Sequence, residues 1–99
     1  MRPVPPGEVL REEFLIPLGL SANALARGIG VPANRITAIL KGERGITGDT
    51  AVRLGAFFGT TAGLWLDLQK TYELRLAEKA IGARVLKMIE KRRQEFVAA

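Results

Sequence analysis

The sequence contains no cysteine and no histidine. Disulfides, thiol nucleophiles, the usual zinc ligand sets and imidazole general bases are therefore excluded. Ser21 is the single serine, so no Ser-His-Asp triad can be assembled. No apolar run approaches the roughly 18 residues that a bilayer span requires. The opening stretch, Met1-Arg2-Pro3-Val4-Pro5-Pro6, lacks the apolar core of a signal peptide. These absences predict a soluble, cytoplasmic chain with no membrane role. Composition leaves a carboxylate or metal–oxygen site open, but the acids do not converge. Glu12 and Glu13 are neighbours, hence on different helical faces, and read as surface charge favoured by a helix dipole. Asp49 and Asp67 read as cap and surface residues. No catalytic residue, metal site or cofactor is expected, and the chain reads as a non-enzyme.

What is present is a 99-residue chain, 47% hydrophobic and 25% charged. That length predicts one domain with a modest core. The net charge is +5, and it is concentrated. Residues 21–55 and 83–99 each carry +3, around a neutral, apolar middle. Such a balance favours a polyanionic partner, though charge alone is a weak signal.

Glycine and proline divide the chain into helix-sized pieces. Residues 1–6 read as an extended arm. Leu10, Phe14 and Leu15 then recur at helical spacing, and Ile16-Pro17-Leu18-Gly19 ends that helix. Ser21 suits an N-cap, with Leu25, Ala26 and Ile29 on one face of the segment that follows. Gly28 within it predicts close packing against a neighbour. Gly30-Val31-Pro32 is a turn, with Pro32 suited to the first helical position. Asn34–Lys41 follows, closed by Gly42. Thr47 and Asp49 open a helix with an Ala51, Leu54, Phe57 and Phe58 stripe, ended by Gly59. Thr61 caps another, through Leu64, Trp65, Leu68 and Tyr72, and Gly82 is a candidate kink before a basic stretch, residues 83–96. No segment alternates with period two. The expectation is an all-α protein of five or six helices. It divides into an arm (1–6), a main helical domain (7–80) and a basic helical extension (81–99).

Residues 20–42 have the form of a helix-turn-helix. Ala26 is small enough for the second helix to cross closely, Gly30 suits the tight turn, and Val31, Ile36 and Ile39 anchor the second helix. Its outer face would be Ala33, Asn34, Thr37, Ala38 and Lys41, short enough at several positions to approach a major groove. Asn34 can pair bidentately with adenine, and Thr37 can meet a base edge or a thymine methyl. Arg35 can reach a guanine or a phosphate. Ser21 and Asn23, on the first motif helix, complete this set of DNA candidates with Lys41 and Arg44. The alternative for each is a solvated helix surface. Lys41 and Arg44 are candidates for phosphate contacts, which position without specifying sequence, and the alternative for the Gly42–Thr47 loop is a plain glycine-hinged connector.

A longer ordered set of motifs carries a resemblance. It comprises Pro6-Gly7-Glu8-Val9-Leu10-Arg11-Glu12-Glu13-Phe14, Pro17-Leu18-Gly19-Leu20-Ser21, Ala24-Leu25-Ala26 and Val31-Pro32-Ala33-Asn34-Arg35-Ile36. It continues with Gly42-Glu43-Arg44-Gly45-Ile46-Thr47, Asp49-Thr50-Ala51-Val52-Arg53-Leu54, Phe58-Gly59-Thr60 and Trp65-Leu66-Asp67-Leu68-Gln69. Over about residues 6–75 the chain resembles the HigA antitoxins, Xre/Cro-type helix-turn-helix proteins of which some are called virulence-associated protein I. The resemblance implies a lambda-repressor-like domain with a C-terminal helical extension. It also implies a homodimer that binds double-stranded operator DNA of its own promoter. It further implies that the chain silences a HigB-like toxin, a ribosome-dependent mRNA endonuclease. Three residues depart from the pattern: Ala22 replaces a usual glutamine that clamps phosphate, and Ala62-Gly63 replaces a frequent proline and acid. The basic tail from Ala83 onward is also longer than the core pattern, and its role does not transfer.

Trp65, Leu68, Tyr72 and Leu76 fall at spacings of three and four, which fits either core packing or a dimer interface. Leu64, Leu66 and Leu74 make this helix apolar on more faces than one small core can cover. In the extension, Val85, Met88, Ile89 and Phe96 oppose Arg84, Lys87, Lys91, Arg92 and Arg93. That stripe could pack on the domain, a second subunit or a toxin. The leading reading is a dimeric, self-repressing antitoxin. The alternatives are a stand-alone regulator without a toxin, and a protein-interaction module that has lost DNA binding, which Ala22 keeps open.

Overall fold

A computed structural model describes residues 2–97; Met1 of the expected arm and Ala98 and Ala99 of the expected extension lie outside it. Every regular element among the described residues is helical. Helix α1, residues 6–18, has α-helical turns at Pro6–Val9 and Ile16–Leu18, with a π-helical segment, Leu10–Leu15, between them. Pro17 explains the π segment. It lacks an N–H, and its ring would strike the carbonyl four residues back in a regular α-helix. The wider turn sends the Ile16 N–H to the Arg11 carbonyl, five residues back, and the helix passes through Pro17 to stop at Gly19 (φ 60°).

The next three helices are bounded by local chemistry. Helix α2, Ala22–Ile29, is capped by Ser21, whose Oγ accepts the Ala24 N–H at 3.0 Å. It ends at Gly30 (φ 72°), with the Val31 N–H returning to the Ala26 carbonyl at 3.0 Å. Only glycine enters that left-handed region without steric cost. Helix α3 is Ala33–Leu40, and Pro32 stands one place earlier than expected, as the extended N-cap residue. Helix α4, Gly48–Phe58, is capped by Thr47 and closed by Gly59.

Helix α5, Ala62–Val97, is capped by Thr61, whose Oγ1 accepts the Leu64 N–H at 3.1 Å. Gly82 (φ 83°, ψ 155°) breaks it into residues 62–81 and 83–97, as the sequence suggested. The chain spans 58 × 23 × 20 Å, because α5 outruns the core.

Leu10, Leu25, Ile36, Ile39, Leu54 and Trp65 are the largest apolar side chains buried there. Trp65 is 0% exposed. Its ring lies 5.0 Å from Phe14 and 6.1 Å from Phe58, and its Nε1–H donates to Thr60 Oγ1 at 2.9 Å. This corrects the interface reading for Trp65, because a side chain with no exposed surface has nothing to offer a second copy. Gly28 does pack closely: an added Cβ would lie 2.5 Å from Phe57 Cε1. Gly7 is tighter still, its missing Cβ being replaced by the Ile39 carbonyl, so α1 abuts α3 backbone to backbone. No helix among the described residues is long and apolar enough to cross a membrane.

Candidate nucleic-acid interface

Helices α2 and α3, with the Gly30–Pro32 turn, form the helix-turn-helix. Leu25, Ala26 and Ile29 are buried on α2, and Ile36 and Ile39 are buried on α3. Those five positions pin the inner side of the motif and leave one side of α3 facing out. Ala33, Asn34 and Lys41 are exposed there, and Thr37 and Ala38 are half-buried. Thr37 Oγ1 donates to the Asn34 carbonyl at 3.3 Å, a bond within the helix that orients its hydroxyl. The Asn34 amide makes no side-chain bond among the described residues. The face is therefore short, polar at Asn34 and Thr37, methyl-lined at Ala33 and Ala38 and cationic at Lys41, a profile matched to base edges in a major groove.

The remaining candidates fall in three settings. Ser21 is committed to its cap, and Asn23 beside it is exposed. Lys41 and Arg44 are exposed on either side of Gly42 (φ 74°) and form no ion pair among the described residues. Arg35 is different. The sequence offers it as a free guanine or phosphate ligand, but its Nη1 lies 2.7 Å from Asp49 Oδ2, and its side chain is only 24% exposed.

Asp49 and Arg53 form a cluster with Arg35 that sequence reading missed. The Arg53 Nε donates to the same Asp49 Oδ2 at 3.1 Å. Its Nη1 donates to the Ile29 carbonyl at 2.8 Å and the Gly30 carbonyl at 3.4 Å. The bond from Arg35 is the main cause that holds the Asp49 carboxyl below its ordinary value; partial desolvation opposes it and the Arg53 charge assists. The i,i+4 spacing of Asp49 and Arg53 was visible in the sequence. Their partners were not, because they lie 14 and 24 residues away along the chain.

Of the other residues assigned to an interface, Leu68 and Tyr72 are half-buried and Leu76 is 43% exposed. Leu64, Leu66 and Leu74 are exposed beside them on α5, and so are Val85, Met88 and Ile89 beyond Gly82. No group of three or more acids that could hold a metal ion occurs among the described residues.

The helix-turn-helix family model matches residues 10–65. The chain is 51% identical over 79 residues to virulence-associated protein I of Dichelobacter nodosus, covering 80% of this chain and 73% of that protein. An addiction module antidote protein of the HigA family from Coxiella burnetii superimposes with a TM-score of 0.82 at 50% identity, over 88% of this chain and 95% of that one. Antitoxin HigA of Pseudomonas aeruginosa, solved with the higBA promoter, gives a TM-score of 0.81 at 44% identity, over 85% and 91% of the two chains.

Proposed function

This chain belongs to the HigA family of Xre-type helix-turn-helix antitoxins, a non-enzymatic family, and on that premise we propose that it represses its own operon as a homodimer and neutralises a partner mRNA endonuclease. The observation that carries the reading is the outward side of α3. Ala33, Asn34, Thr37 and Ala38 form a narrow face with the cationic Lys41 at its end and Arg44 just beyond. Asn34 and Thr37 read bases, and Lys41 and Arg44 meet phosphates. The relative solved with the higBA promoter supports DNA of this chain's own operon as the target. Two copies would present two α3 helices to inverted half-sites about one helical turn apart. Leu68, Tyr72 and Leu76, at four-residue intervals along one side of α5, supply an apolar strip for that pairing. Silencing of a HigB-like toxin rests on family membership.

The test is fluorescence anisotropy of the full chain on DNA from upstream of its own gene and on scrambled DNA of equal length, over a range of salt. Upstream DNA should bind roughly a thousandfold tighter or more. Binding should weaken linearly in log–log form as salt rises. Lys41→Ala and Arg44→Ala should each lower that slope by about one per half-site. Equal affinity for the two DNAs would remove the operator reading. Co-expression with the product of the adjacent gene tests the second half: growth arrest by that product should be relieved by this chain.

A further inference from the structure

We propose that Arg35, Asp49 and Arg53 are positioning residues for DNA readout: Arg35 acts through Asp49 to set the rotation of α3, and does not itself hold DNA. The inference rests on the DNA-binding reading above. Its structural basis is a continuous line of directional bonds across the motif. Arg53 reaches the Ile29 and Gly30 carbonyls, at the end of α2 and in the turn. These belong to the helix-terminal carbonyls that have no partner within their own helix. Arg53 then meets Asp49 on its own helix, and Asp49 meets Arg35 in the first turn of α3. The end of α2 is thus linked to the start of α3 through α4.

Apolar anchoring alone does not fix the aim of α3. Ile36 and Ile39 hold its axis, but burial of apolar surface is non-directional and resists a small rotation weakly. Hydrogen bonds are directional. Arg35 directly follows Asn34, so the bond that stops Arg35 from swinging also stops Asn34. A reading group must be held within about half an ångström, which a supporting shell of this kind provides. The Arg35 Nε is buried and has no partner among the described residues, so the side chain keeps this pose despite one unmet donor.

The charges give the inference a distinctive sign. Asp49 is an acid close to a surface that would meet a polyanion. If it mattered only through long-range charge, Asp49→Asn would tighten binding to any DNA. As a positioning residue, its loss should weaken cognate binding while random binding holds or improves.

The experiment measures anisotropy for Asp49→Asn, Asp49→Glu, Arg35→Ala, Arg35→Lys and the double variant Arg35→Ala/Asp49→Asn on upstream and scrambled DNA across salt. Asp49→Asn and Arg35→Ala should each lose roughly tenfold on upstream DNA. Neither should lose on scrambled DNA, and neither should change the salt slope. The double variant should be no worse than either single one, as expected of groups acting as a unit. Asp49→Glu should restore part of the loss. If Arg35→Ala weakens both DNAs alike and lowers the slope by about one, Arg35 touches phosphate and the proposal is wrong. Tighter upstream binding by Asp49→Asn also overturns it. Circular dichroism identifies variants that remain folded, and Asp49→Glu with Arg35→Lys carries the comparison if the others do not. If the wild type fails to distinguish the two DNAs, the functional reading falls. The cluster is then judged by amide exchange in the free protein, where unchanged protection of the Ile36 and Thr37 amides, the first in α3 with partners inside the helix, in Asp49→Asn overturns it.

Discussion

The side-chain oxygen of Gln69 accepts the backbone N–H of Ile46 at 2.8 Å, a bond that crosses 23 residues and fastens the loop after α3 to α5. Gly45 lies against the same side chain: an added Cβ would sit 2.8 Å from the Gln69 Nε2 and push that amide aside. Gln69→Ala leaves a half-buried N–H without its acceptor, which should cost about 1–3 kcal/mol. Gln69→Glu keeps an acceptor in place and should lose less. Chemical denaturation measures the cost, and faster exchange of the Ile46 amide locates it.

Gly7→Ala should destabilise the fold, against the ordinary helical preference for alanine. In an exposed helix the change would gain about 1 kcal/mol. Here the new methyl meets the Ile39 carbonyl, a backbone atom that cannot rotate away. A loss of about 1–3 kcal/mol is expected from overpacking. Urea unfolding checks the sign, and a more stable variant would contradict the close approach of α1 to α3.

Light scattering should give about twice the 10.8 kDa chain mass if α5 pairs two copies. Tyr72 is half-buried and Leu76 is 43% exposed, four residues apart on one side of α5. The double change Tyr72→Ser/Leu76→Ser should therefore shift the chain toward monomer with its helical signal intact. Trp65→Ala should behave differently, losing about 3–5 kcal/mol of fold stability because the ring is wholly inside the protomer. A wild type that is monomeric at micromolar concentration would remove the dimer.

Asn34→Ala should cost about 1–3 kcal/mol on the operator and little on random DNA. Its exposed side chain supports no other element, so the thermal midpoint should not move. Equal loss on both DNAs would reassign Asn34 to a backbone contact.

Acid should weaken the Arg35–Asp49–Arg53 cluster. The Asp49 carboxyl titrates below its ordinary 3.8 in the folded chain. A lowered folded value means that the unfolded state binds the proton more readily. The stabilisation is thus present above pH 3.8 and is lost as pH falls through the lowered value. Asp49→Asn should flatten that part of the acid limb in thermal midpoints measured against pH. A limb identical to wild type would show that the pair contributes nothing to folding.

The helix boundaries were legible because they depend on near neighbours. Ser21, Thr47 and Thr61 each accept an N–H three residues on, and Gly30, Gly59 and Gly82 each adopt a left-handed backbone that their own lack of a side chain permits. The outward face of α3 was legible for the same reason: Ile36 and Ile39 recur at helical spacing, and burying them turns Asn34 and Thr37 outward.

Long-range geometry decided the rest. The apolar spacing of Trp65, Leu68, Tyr72 and Leu76 fits a core and an interface equally well, and only the placement of Phe14 and Phe58 around Trp65 assigns that residue to the core. Pro17 marked a helix end by local rules, yet the packing of Leu10 and Leu15 keeps the helix going through a π turn. Arg35 next to Asn34 had the chemistry of a DNA ligand. Its partner, Asp49, stands 14 residues further along. A side chain's chemistry belongs to its residue type, but the atom it meets depends on how α3 and α4 cross, and that crossing is a property of the assembled core.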